Sequence, residues 1–304
     1  MAQHFDLCLA WNWVHDGAFV RILDETCRSR GVSLLQITPD VLPQMIERLG
    51  GGDLTFAVLL DRVSEEDPRF VAIAEWARGH EAESVNPYDR ARRTWDKVAL
   101  HRAIFADINT PYTIILPSHR AVPALPPVDL APVGGRGFTI KPATGGGGAG
   151  VVLSADTFEQ ILEARKQFPD DEYLLQTRVV PAPLGGQAAW FRVIYSSGEV
   201  FPCWWATDTH RYRPLTAAEE SHFKLAQLGV LAHDVARHCG LQLFSTEIAR
   251  AVDGGFLVVD CVNDPIDLRL QSQIPEGVPD QIVQFIAENL ASWALAARSR
   301  VAVR

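Results

Sequence analysis

Several things are missing from this sequence, and each absence removes a class of function. No apolar run is long enough to cross a bilayer, and Asp6 interrupts the place where a secretory signal needs an unbroken apolar core. There is no Cys-x-x-Cys pair. The five cysteines (Cys8, Cys27, Cys203, Cys239, Cys261) are scattered, which fits reduced thiols in a cytoplasmic protein and no zinc or dithiol motif. Positive charge is in deficit, with 28 basic against 37 acidic residues and a net charge of -9. Neither nucleic acid nor an acidic membrane surface is therefore an expected partner. The chain has no Gly-Lys pair, no His-Arg-Asp and no Asp-Phe-Gly, which removes the Walker loop and the protein-kinase signatures.

What is present describes a globular chain. Its 304 residues, 47% hydrophobic and 21% charged, predict two or three packed units. The first part alternates short apolar runs, at residues 4–10, 32–37, 54–60 and 81–85, with helical patterns. Phe19, Ile22, Leu23 and Cys27 share the face of the first helix, Thr38-Pro39 opens the second, and residues 70–78 form the third. Such alternation predicts a parallel sheet with right-handed crossovers, whose ligands sit at the carboxyl ends of the strands. Trp11, Trp13, His15, Asp16, Asp61 and Arg62 fall there, either to meet a substrate or as loop residues with local hydrogen bonds.

Residues 91–106 read as one helix with Asp96-Lys97 on its first turn, followed by a strand over 109–117 and a proline-rich connection over 122–132. Further on, three hairpins are expected, at 138–153, 190–205 and 241–262. Between them lie a helix over 155–167, a strand over 173–180, a polar segment over 207–214 and a long helix over 217–238. The last helix carries Ile282, Phe285, Ile286, Leu290 and Trp293 as an apolar stripe for the core.

The first hairpin carries the chemistry. Phe138-Thr-Ile-Lys141 is a short strand ending in a lysine, and Gly145-Gly146-Gly147-Gly148-Ala-Gly150 follows. Glycines accept positive φ and leave N–H groups free to point at oxygen, while the lysine adds a point charge. The matching ligand is a nucleoside triphosphate. The same glycines formally fit the dinucleotide fingerprint, but that motif must open a helix, and Val151-Val-Leu153 reads as a strand.

In order and spacing, these motifs resemble the ATP-grasp superfamily of carboxylate–amine ligases over roughly residues 86–267. The resemblance implies an α/β fold: a Rossmann-like preATP-grasp domain (1–115), a central flap domain (116–183) and a C-terminal ATP-grasp domain with the metal site (184–304). It makes Lys97 and Lys141 phosphate lysines and Gly145 to Gly148 the flap. Gln176, Thr177 and Val179 become the hinge that reads adenine, and Glu247, Asp260 and Asn263 the magnesium ligands. Arg192, Lys141 and Arg213 are the catalytic cations on this reading, with ATP and Mg2+ as cofactors. The implied reaction converts a small-molecule carboxylate to an acyl phosphate and joins it to an amine, releasing ADP and phosphate. A kinase of the same fold acting on a hydroxyl and a non-catalytic ATP-binding subunit are the alternatives, and a homodimer is left open. Two positions depart from the family pattern. Cys261 stands where a carboxylate is usual, and no acidic ribose contact follows the hinge, where only Gln187 is available.

Arg211 and Arg213, downstream of Trp204 and Trp205, either cradle an anionic or planar substrate or are surface arginines over buried tryptophans. Arg269 either binds a substrate carboxylate or pairs with Asp267, and Trp11 and His15 complete the substrate candidates. In the third hairpin, a two-residue Asp253-Gly254 turn puts Glu247 opposite Asp260. Asn263 then joins them only if the strand bulges at Cys261-Val262. A three-residue turn would instead set Cys261 opposite Glu247.

Overall fold

The computed structural model describes residues 2–301. The chain begins with β1 (Gln3–Ala10), α1 (Gly17–Ser29), β2 (Leu34–Ile37), α2 (Leu42–Gly50), β3 (Leu54–Asp61), α3 (Val71–Gly79) and β4 (Glu83–Val85). These strands form a parallel sheet in the order β2-β1-β3-β4, as the alternation predicts. The second helix starts at Leu42 rather than at Thr38-Pro39, because Pro43 supplies the first-turn proline.

The helix expected over 91–106 is two helices, α4 (Tyr88–Thr94) and α5 (Lys97–Ile104). Asp96 is the reason for the break. Its side chain accepts from the N–H groups of Val98 and Ala99, both at 2.9 Å, and so opens a new helix at Lys97. Two buried helical faces remain, with Leu100 and Ile104 in the core, so the apolar period gave no sign of the break.

A second sheet, antiparallel and in the order β5-β8-β6-β7, holds β5 (Thr113–Leu116), β6 (Phe138–Pro142), β7 (Val152–Ala155) and β8 (Tyr173–Gln176). Residues 115 and 116, where the resemblance sets the end of the first domain, lie in β5, which pairs with β8. Against this sheet lies α6 (Phe158–Gln167), opened by a capping box of Thr157 and Gln160. A small hairpin, β9 (Pro183–Leu184) with β10 (Gln187–Ala188), leads on to the third main sheet.

That sheet has the order β13-β12-β11-β14-β15 and is antiparallel throughout. It comprises β11 (Trp190–Ser196), β12 (Glu199–Ala206), β13 (Arg211–Pro214), β14 (Leu243–Arg250) and β15 (Phe256–Asn263). The expected polar segment over 207–214 supplies β13 as an edge strand. Between β13 and β14 lie α7 (Ala217–Phe223) and α8 (Gln227–Cys239) rather than one long helix, separated by Lys224 in the left-handed region at φ 55°.

The two faces of this sheet bury different partners. Ile194, Cys203, Trp205, Tyr212 and Leu243 join a core with β1, β3, α1 and the last helix, α9 (Asp280–Val301). Phe191, Val193, Tyr195, Trp204, Phe244 and Ile248 pack instead with residues of α5 and α8. Alternation along each strand therefore sorts every residue of the sheet onto one side or the other.

Candidate functional site

A cleft of about 1460 Å3 opens between the glycine hairpin, the carboxyl ends of the parallel sheet and the first face of the five-stranded sheet. This exceeds the several hundred to roughly 1000 Å3 of an ordinary small-ligand pocket, so it has room for a nucleotide and a substrate together.

At the glycine hairpin, residues 144–149 are exposed, and Gly145, Gly147, Gly148 and Gly150 all have positive φ. Gly150 needs to be glycine twice over, because a Cβ there would collide with the ring of Phe168. Asp96 caps α5 so that the next side chain, Lys97, turns into the cleft, where its ammonium donates to the carbonyl of Gly145. Lys141 donates to the carbonyl of Val259 at 3.1 Å. Burial pushes the pKa of Lys97 down, Asp260 pulls it up, and Lys141 pushes it down again. Both ammonium groups face the same cleft, and the hydrogen bonds they make are to main-chain carbonyls.

The stretch expected as the hinge is β8 and the residues after it. Gln176 is buried and donates through Nε2 to Thr113 Oγ1 at 3.1 Å. Its Oε1 and the Thr177 Oγ1 are buried without a partner. Buried polar atoms are rarely left so, and both residues line the cleft along with Val179 and Gln187.

At the other end, Glu247 stands opposite Asp260 in the β14–β15 ladder, as the two-residue turn requires. The route there is different. Ala251 and Gly255 close a three-residue turn of Val252, Asp253 and Gly254, and pairing runs Arg250–Phe256, Ala249–Leu257 and Ile248–Val258. An extra residue, Val259, then shifts the register by one and brings Asp260 to Glu247. A second shift over Cys261-Val262, where the bulge was expected, brings Asn263 opposite Ser245. Ser245 and Glu247 share a face, so Asn263 and Asp260 are gathered on it too.

Arg192 lies on this face, across from Glu247 on β11. Its Nε donates to Ser245 Oγ at 3.1 Å, one terminal nitrogen is 3.3 Å from Glu247, and its guanidinium lies 4.8 Å over Trp205. The indole N–H of Trp190 reaches Glu247 at 3.3 Å. These are long contacts for charged partners. Burial raises the pKa of Glu247, Arg192 opposes that shift, and Asp260 adds to it. Sequence reasoning passed over Trp190 and Ser245, although each sits two residues from a chosen residue on the same strand.

Among the other candidates, Arg211, Arg213, Asp16 and Arg62 also line the cleft, whereas Arg269, Asp61, Trp11 and His15 do not. Arg213 alternates onto the opposite face, where it pairs with Glu219 at 2.8 Å and lies over Trp204. The structure does not bring it to Arg192, because β13 presents Tyr212 there instead. Arg211 shares the strand parity of Arg213 and is exposed. Arg269 makes the salt bridge to Asp267, at 2.6 Å, and stacks over Trp13. Trp11 packs against the first core, His15 is exposed and edge-on to Trp13, and neither lines the cleft. Asp16 and Arg62 form a fully buried pair at 2.7 Å, and Arg62 also donates to the carbonyl of Ile266. Asp61 accepts from the N–H groups of Val63 and Ser64.

No family model and no curated protein matches the sequence. Solved structures do match the fold. A RimK-domain ATP-grasp protein from Sphaerobacter thermophilus superposes with a TM-score of 0.65 at 21% identity, covering 96% of this chain and 100% of that one. The D-alanine–D-alanine ligase of Bacillus anthracis complexed with ATP gives 0.64 at 13% identity, with 99% and 98% covered. D-cycloserine synthetase DcsG gives 0.58 at 18% identity, with 95% and 99% covered. The chain has the ATP-grasp fold.

Proposed function

We propose that this ATP-grasp chain is an ATP- and Mg2+-dependent ligase that activates a carboxylate and joins it to an amine, releasing ADP and phosphate. The observation that carries this reading is the pair of lysines, hydrogen-bonded to main-chain carbonyls, that line one cleft with Glu247, Asp260 and Asn263. The similar proteins support it, since several of them are ligases solved with ATP, or with Mg and ADP.

The residues present fit both groups. The hinge has two buried oxygens in want of a partner, and the phosphate end has two lysines and exposed glycine N–H groups. Among the described residues no three His, Cys, Asp or Glu side chains gather as a metal cluster. A set of two carboxylates and one amide suits Mg2+, which binds through one or two carboxylates plus phosphate oxygens and water. When bound, the cation neutralises charge on the phosphates.

On this reading each residue has a task of positioning or neutralising. Lys141 and Lys97 exchange their main-chain carbonyls for phosphate oxygens. The glycine hairpin covers the phosphates and excludes water. Arg192, braced by Ser245 and Trp205 and only loosely held by Glu247, directs its remaining donors at the oxygens around the transferred phosphoryl group. An amine then displaces phosphate from the acyl group. A hydroxyl acceptor would call for a strongly basic pocket, but Arg213 and Arg269 are already paired with carboxylates. The five cysteines are all free, in keeping with a cytoplasmic enzyme. Among the described residues no helix is long and apolar enough to cross a membrane.

The test is a screen of paired carboxylates and amines for ADP release that requires both, followed by mass analysis of the condensed product. ADP release driven by alcohols without any amine would overturn the reading.

A further inference from the structure

β15 ends at Asn263, and the reason is visible in the ladder. Continued in the register of Ser245–Asn263, the pairing would set Pro265 opposite Leu243. Proline has no N–H to give. Leu243 is nevertheless satisfied, because the side-chain amide of Asn86 takes the place of the missing strand. Its Oδ1 accepts from the N–H of Leu243 at 3.0 Å and of Gln242 at 2.7 Å. Its Nδ2 donates to the carbonyl of Leu243 at 2.6 Å and, with the other hydrogen, to Asp264 Oδ1 at 2.7 Å. The two main-chain donors fix which side the oxygen occupies. All four hydrogen bonds run from one buried residue, 5% exposed, at the carboxyl end of β4.

Asn86 thus grips the start of β14 and the end of β15 together. These are the strands that carry Ser245 and Glu247 on one side and Asp260 and Asn263 on the other. Asp264 follows Asn263 directly, and its side chain accepts a hydrogen bond from Asn86. Arg62, at the carboxyl end of β3, holds the same segment through the carbonyl of Ile266 at 2.8 Å.

We propose that Asn86 is a positioning residue for the metal-binding end of the site, setting Asn263 against Ser245 and Glu247 by holding Asp264 and Leu243 in place of a strand. The proposal rests on the reading of Glu247, Asp260 and Asn263 as the cation ligands. It extends the site to a residue of the N-terminal sheet that touches neither nucleotide nor cation. Groups that orient metal ligands typically change metal affinity by about 10- to 100-fold when removed, and a loss in that range is expected here.

The experiment measures Mn2+ binding by electron paramagnetic resonance in the presence of a non-hydrolysable ATP analogue. It compares the full-length protein with Asn86→Ala and, as a control, Asp260→Asn. The expected result is Mn2+ binding weakened about 10- to 100-fold in Asn86→Ala, with metal-free affinity for the analogue within about twofold of the parent. A folded Asn86→Ala with unaltered Mn2+ affinity overturns the proposal. If Asn86→Ala does not fold, Asn86→Asp keeps the acceptor for Gln242 and Leu243 but loses both donors, and Mn2+ affinity equal to the parent there has the same force. If Asp260→Asn binds Mn2+ as the parent does, the ligand assignment itself fails, and the proposal falls with it. A loss in Asp260→Asn without a loss in Asn86→Ala refutes Asn86 alone.

Discussion

The two faces of the five-stranded sheet carry nearly the same constellation, and Arg192 and Arg213 both border the cleft, one from each face. On the first, Arg192 lies 4.8 Å over Trp205 and 3.3 Å from Glu247. On the second, Arg213 lies 5.4 Å over Trp204 and 2.8 Å from Glu219. The difference is in what is left over. Arg213 and Glu219 make two hydrogen bonds to each other, and Glu219 spends its remaining capacity on the N–H and hydroxyl of Thr216 at the start of α7. Hydrogen bonds from Arg213 and Thr216 hold the Glu219 carboxyl down at about 2. Glu247 is shifted the other way, upward, by burial. A closed, half-exposed pair fastens a helix, whereas a buried, loosely made pair keeps donors and acceptors for a ligand.

The largest effect that separates the faces is expected at Arg192. Arg192→Ala should lower turnover by about 10²–10³-fold, the scale of losing one donor aimed at transition-state charge. Steady-state kinetics with a productive substrate pair checks this, and a loss below tenfold would erase the distinction. Next in size is Lys141→Ala, which should weaken ATP by about ten- to a hundredfold, or on the order of 1.5–3 kcal/mol. Calorimetry that found unchanged ATP binding would remove Lys141 from the phosphate site.

A smaller, local effect concerns mobility. Fixed glycines lose the most backbone entropy, so residues 145–150 should exchange amide hydrogens fastest in the central sheet and slow down when ATP is added. The β14–β15 hairpin, clamped by Asn86 and Arg62, should change little. Equal exchange in both hairpins with and without ATP would contradict the division into a moving cover and a fixed floor.

The smallest effect belongs to Arg213. Arg213→Ala should leave turnover within about threefold and cost at most ~1 kcal/mol of stability, because its pair is partly exposed to solvent. The sign of the pH dependence follows from the depressed Glu219 pKa. The pair's contribution is full above the unfolded carboxylate value, near 4.5, and fades as pH falls toward about 2. The melting difference between parent and variant should therefore shrink over that interval. A difference that grew toward acid would show that Glu219 is not held by Arg213.

Much of the fold was legible from pattern alone. Alternating apolar runs predict the parallel sheet, and the glycine stretch framed by two strands predicts the hairpin over the cleft. Sequence reasoning failed where one side chain overrides a period. Asp96 splits a helix without disturbing its apolar spacing, and Lys224 does the same by taking a left-handed conformation. Polar Arg211 and Arg213 masked β13, an edge strand that buries only Tyr212. In the third hairpin the turn is one residue longer than expected, yet Glu247 still meets Asp260, because Val259 bulges. The role of Asn86 was not legible at all. Its partners lie 156 to 178 residues away, and nothing local in Val85-Asn86-Pro87 announces them.

On the proposed function, the cleft face directs attack at the γ-phosphate of ATP by a carboxylate, and an amine completes the bond. Phosphorus NMR of the products, with ATP, Mg2+ and a carboxylate–amine pair that yields condensed product, tests it most directly. The account predicts ADP and inorganic phosphate in equal amounts, matching the amide formed; AMP with pyrophosphate, or a phosphorylated acceptor that accumulates in place of free phosphate, would contradict it.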